Sequence, residues 1–133
     1  MSLIKDVAVF TMPEGDRLAL SDVAKGSKRV VELWTPGCDP CSGTLNSMEI
    51  VAFSKYFEYA FIAANCTNLK TAKSSFDEVG EMWLHLNHVN VEMASIGHLK
   101  KRFGVTQNPH FFILDAKGHV VKSTRVLNYH ELP

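Results

Sequence analysis

The chain has 133 residues, about the length at which one hydrophobic core closes, so a single domain over residues 1–133 is expected. Apolar residues make up 46% and charged residues 21%, an ordinary globular mix that excludes a disordered or fibrous chain. Lys and Arg total 14 and Asp and Glu total 14, so the basic excess that phosphate binding requires is missing and nucleic acid is not an expected partner. No apolar stretch nears the ~20 residues of a membrane helix, and Met1-Ser2-Leu3-Ile4-Lys5-Asp6 lacks the apolar core of a signal peptide. The chain as given is therefore expected neither to span a membrane nor to be exported by itself.

Val7 to Phe10 and Arg17 to Leu20 flank the turn-rich Pro13-Glu14-Gly15-Asp16 and read as a β-hairpin. Ser21 and Asp22 then cap a single turn ending at Gly26. Arg29 to Thr35 is β-branched and almost wholly apolar, the pattern of a strand covered on both faces. A helix opens near Pro40 and runs to about Phe57, with Leu45, Met48, Ala52 and Tyr56 on one stripe. Tyr59 to Asn65 is a second buried strand, and Phe76, Val79 and Trp83 give the next stretch a helical stripe. Val89 and Val91 mark a short strand. Ser95 caps a helix whose inward face is Ile96, Leu99 and Phe103, stopped by Gly104. Phe111 to Leu114, the turn Asp115-Ala116-Lys117-Gly118, and His119 to Lys122 form a second hairpin, and a final helix begins near Asn128. Strand–helix alternation of this kind predicts an α/β sandwich with parallel central strands.

Three cysteines are too few, and odd in number, for a disulfide framework. Cys38-Asp39-Pro40-Cys41 stands where a buried strand turns into a helix. Helical residues three apart bring their Cα atoms to roughly 5–6 Å, within disulfide reach. Cys38 lies at the helix start, where unpaired N–H groups and the positive dipole end favour thiolate. Cys41, one turn in, is expected to be buried and less reactive, which assigns a nucleophile and a resolving thiol. Pro40 fits the first helical turn, having a suitable φ and no N–H to satisfy. The alternatives are inert structural thiols or half of a zinc or copper site; zinc normally takes four ligands, and no second Cys-x-x-Cys exists.

Glu32 interrupts the apolar Val30-Val31-Glu32-Leu33-Trp34. Desolvation there raises a carboxyl above its reference value of about 4.3, making Glu32 a candidate acceptor and donor for the proton of Cys41; a paired structural Glu is the alternative. Trp34, two residues on, shares its face. Cys66 reads as a small buried residue, and Lys100-Lys101-Arg102 as the solvated face of a helix. Phe76, Trp83, Phe103, Phe111 and Phe112 read as core. His85 and His88 are weak metal candidates, and His110 is one only if it approaches the cysteines. Base rates alone leave the Asn108-Pro109 bond trans.

Three ordered segments resemble the thioredoxin-like superfamily, in particular the TlpA/ResA-type thiol-disulfide oxidoreductases. They are Phe10-Thr11 with Asp16 to Asp22, then Val30 to Cys41, then Phe103-Gly104-Val105 with Asn108 to Asp115 and Gly118. The resemblance covers almost the whole chain. It implies a central mixed sheet with helices on both faces, an N-terminal β-hairpin, and an extra helix and strand over about Lys70 to Glu92. It also implies that Cys38 attacks, Cys41 resolves, Glu32 fills the buried acidic position, and Pro109 is a cis-proline beside the sulfurs. Asn108 backbone then faces an extended substrate segment, with Trp34, Pro36, Gly37, Asp39 and Pro40 completing the substrate-facing set. No bound cofactor and no metal are required. Partners are protein thiols and disulfides with an upstream redox donor, and the molecule is expected to be monomeric. Location is extracytoplasmic by resemblance, in the periplasm or on a membrane anchor of a longer protein, with the cytoplasm as the alternative. The rival readings are a copper or zinc module using Cys38, Cys41 and His110, and a non-catalytic interaction domain.

Gly37 departs from the aromatic residue common before the nucleophile and opens the rim. Asn108 and His110 also replace commoner neighbours of the proline. Asp39 sets a negative charge between the sulfurs, which destabilises thiolate relative to a neutral residue and makes the pair more reducing. Equilibration with glutathione and dithiothreitol buffers is expected to give a potential below about −180 mV; a value well above it overturns this reading of Asp39.

Overall fold

Arg29-Val30-Val31-Glu32-Leu33-Trp34 is buried throughout in the computed structural model, which describes residues 2–4, 6–54 and 58–133. A run with so little polar surface belongs in the middle of a sheet, and there it lies. The described residues form eight strands: β1 (Ser2–Leu3), β2 (Ala8–Thr11), β3 (Arg17–Ala19), β4 (Lys28–Trp34), β5 (Tyr59–Asn65), β6 (Asn87–Val91), β7 (His110–Leu114) and β8 (His119–Thr124). Three α-helices accompany them among those residues, α1 (Asp39–Ser54), α2 (Leu69–Val79) and α3 (Met93–Phe103). All the strands share one sheet in the order β1-β8-β7-β4-β5-β6-β2-β3. β4, β5 and β6 are parallel, whereas β7 runs antiparallel to β4 and the hairpins β2–β3 and β7–β8 are antiparallel. The sheet is therefore mixed, and the N-terminal hairpin joins it through β6.

Strand parity divides the core into two layers. Val31 and Leu33 face one layer with Ile62, Phe112 and Leu99 of α3. Val30 and Trp34 face the other with Cys41, Leu45 and Met48 of α1. Helices thus cover both faces, as the strand–helix alternation predicts. α2 and β6 fall within the expected extra segment.

Several local expectations change. The turn after β3 is a 3₁₀ helix over Leu20–Asp22 with no side-chain cap, and Ser21 lies buried within it rather than capping it. α3 starts at Met93 with Glu92 at its cap position. Ser95 instead accepts a hydrogen bond from the Ala8 N–H at 3.0 Å, tying β2 to α3. Gly104 ends α3 at φ 66°, the left-handed conformation that stops helices. α2 ends at Val79, so Trp83 falls on the turn beyond it, still packed inward. The final helix is one 3₁₀ turn, Tyr129–Glu131, capped by the Asn128 side chain. An α1 reaching Phe57, with Tyr56 in its stripe, lies outside the described residues.

One polar group pins these connections. Arg29 is fully buried, and its guanidinium donates to the carbonyls of Ser21 at 2.5 Å, Val23 at 2.9 Å, Ser27 at 3.0 Å, Asp115 at 2.9 Å and Ala116 at 3.3 Å. It joins the 3₁₀ turn to the β7–β8 turn across the end of the sheet. Burial lowers its proton affinity, and the charges of Asp115 and Asp22 oppose that. Replacing Arg29 with Met strands these carbonyls without a donor. Urea unfolding of Arg29→Met is expected to show a loss of about 3 kcal/mol at unchanged m-value.

Candidate active site

Between the end of β4 and the start of α1 the chain has only Thr35-Pro36-Gly37-Cys38 in which to turn. Gly37 adopts φ 82°, a region that side chains strain to enter. Glycine enters that region without strain, and an aromatic residue here would not. The Cys38 N–H donates to the Thr35 carbonyl at 3.3 Å, and the Cys38 carbonyl accepts from the Ser42 N–H at 3.3 Å. Cys38 therefore caps α1, and its Sγ accepts the Cys41 N–H at 3.2 Å. That is the bond a Ser or Asp oxygen makes at a helix start, here made by sulfur.

Cys38 and Cys41 are joined as a disulfide, with Cα atoms 5.2 Å apart. Cys38 is partly open, while Cys41 is 0% exposed. Asn108-Pro109 is cis, and the Asn108 carbonyl oxygen lies 3.8 Å from Cys38 Sγ. The loop before β7 therefore abuts the sulfur that solvent can reach. Met12-Pro13, in the β2–β3 connection, is also cis, and no feature of the sequence signals it.

Glu32 projects from β4 toward the α1 side and is 0% exposed. Burial pushes its carboxyl from the ordinary 4.5 up to about 8, against the opposing effect of a hydrogen bond from Thr44. The Thr44 hydroxyl donates to Glu32 Oε2 at 2.6 Å, and Oε1 has no partner. The same hydroxyl has the carbonyl oxygens of Pro40 at 3.1 Å and Cys41 at 3.0 Å within reach. A neutral Glu32 can donate to Thr44, which then turns its hydrogen to one of those carbonyls; an ionised Glu32 takes that hydrogen back. Thr44 thus connects the carboxyl to the turn that carries Cys41. Thr44 is not among the expected site residues; its place three residues after Cys41, on the inward side of α1, is the signal in the sequence that points to it. Tyr129 approaches from the C-terminal segment, its phenol held above its usual value by burial and by Glu32.

The remaining expected site residues separate by exposure. Pro36 is partly buried, Asp39 and Pro40 are exposed, and Asn108 and Pro109 are partly buried. Trp34 is 4% exposed and packs its ring edge-on against Trp83 at 5.4 Å. Its indole is enclosed in the core beneath the turn, so it presents no open face. His110 projects to the opposite sheet face, where it meets Phe112 and bonds Ser123 Oγ at 2.8 Å. His85 pairs with Glu49 at 2.5 Å, whereas His88 donates to the Trp83 carbonyl at 2.8 Å. Among the described residues no three His, Cys, Asp or Glu side chains are grouped as metal ligands. Cys66 is a free thiol packed against the other core layer, and burial pushes it up to about 12.

A cavity of about 690 Å³ opens beside the disulfide. α1 lines it with Pro40, Thr44 and Ser47, the β7 side with Pro109 and Phe111, and the C-terminal segment with Arg125, Val126, Leu127 and Tyr129. No described helix is long and apolar enough to cross a membrane.

No protein-family model and no curated protein sequence matches the chain. Solved structures do match. A secreted disulfide oxidoreductase of Mycobacterium tuberculosis, homologous to Escherichia coli DsbE, is 25% identical, with 91% of this chain and 82% of that one covered and a TM-score of 0.62. StoA from Bacillus subtilis is 24% identical, with coverages of 89% and 87% and a TM-score of 0.63. The thioredoxin domain of a thiol-disulfide oxidoreductase from Bacteroides vulgatus is 15% identical, with coverages of 92% and 88% and a TM-score of 0.68. The fold is thioredoxin-like, and of these structural neighbours the Mycobacterium tuberculosis protein is a disulfide oxidoreductase and the Bacteroides vulgatus protein a thiol-disulfide oxidoreductase.

The elevated value of Glu32 fixes a pH dependence. Folded chain holds the proton up to about pH 8, whereas unfolded chain releases it near 4.5. The unfolded state binds fewer protons across that window, so stability falls as pH rises through it. Glu32→Gln is expected to remove this slope, ending on the order of 4 kcal/mol more stable than the parent at pH 9 but not at pH 4.5. Paired urea titrations of the oxidised proteins check it; parallel profiles overturn the burial argument.

Proposed function

We propose that residues 1–133 act as one thioredoxin-like domain with thiol-disulfide oxidoreductase activity, reducing disulfides of partner proteins. The observation that carries this reading is the Cys38–Cys41 bond at the start of α1, with Cys38 partly open and Cys41 closed off. The oxidoreductase neighbours support it.

In the dithiol form, Cys38 ionises first, because the Cys41 N–H and the end of the α1 dipole both favour a negative sulfur. The thiolate attacks one sulfur of the partner's disulfide. That bond breaks, a Cys38–partner disulfide forms, and the other partner sulfur leaves as thiolate and takes a proton from water. Cys41 then gives its proton to Glu32, which stands as the carboxylate in the dithiol form, and attacks Cys38 Sγ, releasing the second partner thiolate. Two electrons pass to the partner, and the Cys38–Cys41 disulfide is left to be reduced by a dithiol donor. When that donor returns the electrons, Glu32 returns the proton. Thr44 positions Glu32 for both transfers. Asn108 and Pro109 hold the partner's extended segment against Cys38, with Pro36, Gly37, Asp39 and Pro40 at the rim and Trp34 supporting the turn from below.

Insulin reduction under dithiothreitol tests the scheme. Cys38→Ser is expected to fall to the uncatalysed rate, and Cys41→Ser to accumulate the mixed disulfide. Glu32→Gln at neutral pH is expected to slow release of the partner by roughly 10²-fold, leaving the first attack near its normal rate. Equal insulin reduction by the parent and Cys38→Ser removes the enzyme reading.

A further inference from the structure

Arg17 pairs with Glu92 at 2.7 Å, Arg102 with Asp6 at 3.1 Å, and Arg29 is consumed by buried carbonyls. Arg125, the last of the four arginines, makes no hydrogen bond or ion pair among the described residues, and it lines the cavity beside the disulfide. It is also the one ionic side chain in that lining. Next to it, Val126 is 80% exposed, a large apolar side chain kept in water at the cavity's edge. Phe111 and Leu127 add apolar lining.

The wall that presents these groups is anchored. The Thr124 hydroxyl donates to the Val126 carbonyl at 2.9 Å, and Leu127 and Tyr129 pack against the α1-side core. Tyr59 donates to the Pro133 carbonyl. The segment therefore holds Arg125 and Val126 in place. Pro40 and Pro109 belong both to the cavity and to the surroundings of the sulfurs. A chain covalently joined to Cys38 consequently lies at the cavity mouth.

We propose that this cavity is a specificity pocket for the target polypeptide, and that Arg125 selects targets carrying a carboxylate beside an apolar residue near the reactive cysteine. This inference rests on the oxidoreductase reading and names its substrate class. An unpaired cation on an apolar wall offers charge complementarity to an acidic side chain, while the cavity removes the apolar neighbour from water. Cavities of this size take several side chains or a small molecule. The covalent step is the attack already written, with the target cysteine's sulfur bonded to Cys38 and its former partner expelled.

The test uses reduced protein and seven-residue peptides whose central cysteine is a 2-pyridyl disulfide. Cys38 attacks the peptide sulfur and pyridine-2-thione leaves, giving an optical signal. Leucine is placed with either glutamate or lysine, on each side of the cysteine in turn. In at least one placement the parent is expected to react about threefold faster with the glutamate peptide, a preference that shrinks as salt rises. Arg125→Gln is expected to abolish that ratio and Arg125→Glu to invert it. Val126→Ser is expected to reduce the advantage of leucine over glycine while the glutamate preference persists. A glutamate-to-lysine ratio near one in every placement, or a ratio that survives Arg125→Glu, overturns the proposal. Failure of the parent to react with 2,2′-dithiodipyridine, which carries no peptide, defeats the oxidoreductase reading itself and so is distinguishable.

Discussion

The alternation of side chains along β4 is the constraint from which the site follows. A central strand has no freedom to choose which residues face which layer. With Val31 and Leu33 committed to the α3 side, Val30, Glu32 and Trp34 must face α1. The chain then leaves β4 and needs a tight turn, with Gly37 in the left-handed region, before α1 can begin over the same face. One register therefore puts a carboxyl below the first turns of the helix and a cysteine at its cap.

That arrangement costs stability above pH 4.5, because the folded chain must keep Glu32 protonated or hold a charge in a dry place. Its orphan Oε1 is the sign of this cost. An apolar residue at the same position would pack without it. What the carboxyl offers in return is a proton affinity near neutrality, where an ordinary glutamate would be fully ionised. The Thr44 hydroxyl tunes the balance: it opposes the burial effect on Glu32, and its alternative acceptors are the carbonyls of Pro40 and Cys41. Carboxyl and disulfide therefore share one short length of α1.

Features written in local pattern were legible in the sequence. β4 and β5 announce themselves by long, mostly apolar runs, β7 and β8 by the turn residues between them, and α3 by its stop at Gly104. The position of Cys38 at a strand-to-helix junction was legible for the same reason. Features that depend on the meeting of distant segments were not. Ser95 looks like a helix cap and instead serves the Ala8 N–H, a partner that appears only once β2 joins the sheet. Arg29 looks like an ordinary strand entry, yet its acceptors come from the turn just before β4 and from the β7–β8 turn, which is remote in sequence. β1 is two residues long and carries no pattern. Thr44 acquires its meaning only when the phase of α1 is laid over the parity of β4, and the cavity only when the irregular segment after β8 is folded back beside Pro109.

The sheet also explains why a third cysteine stays free while the other two are bonded. Cys66 follows β5 and packs with the α3-side layer, whereas Cys38 packs with the α1-side layer. Its thiol is pushed up to about 12 by burial, so at neutral pH almost none of it is the nucleophilic thiolate. Cys38 has the reverse environment: a cap position, an N–H directed at its sulfur, and an open side. Two thiols of the same intrinsic chemistry are thus separated by backbone placement alone. The sheet keeps the buried thiol on the opposite layer from the Cys38–Cys41 bond.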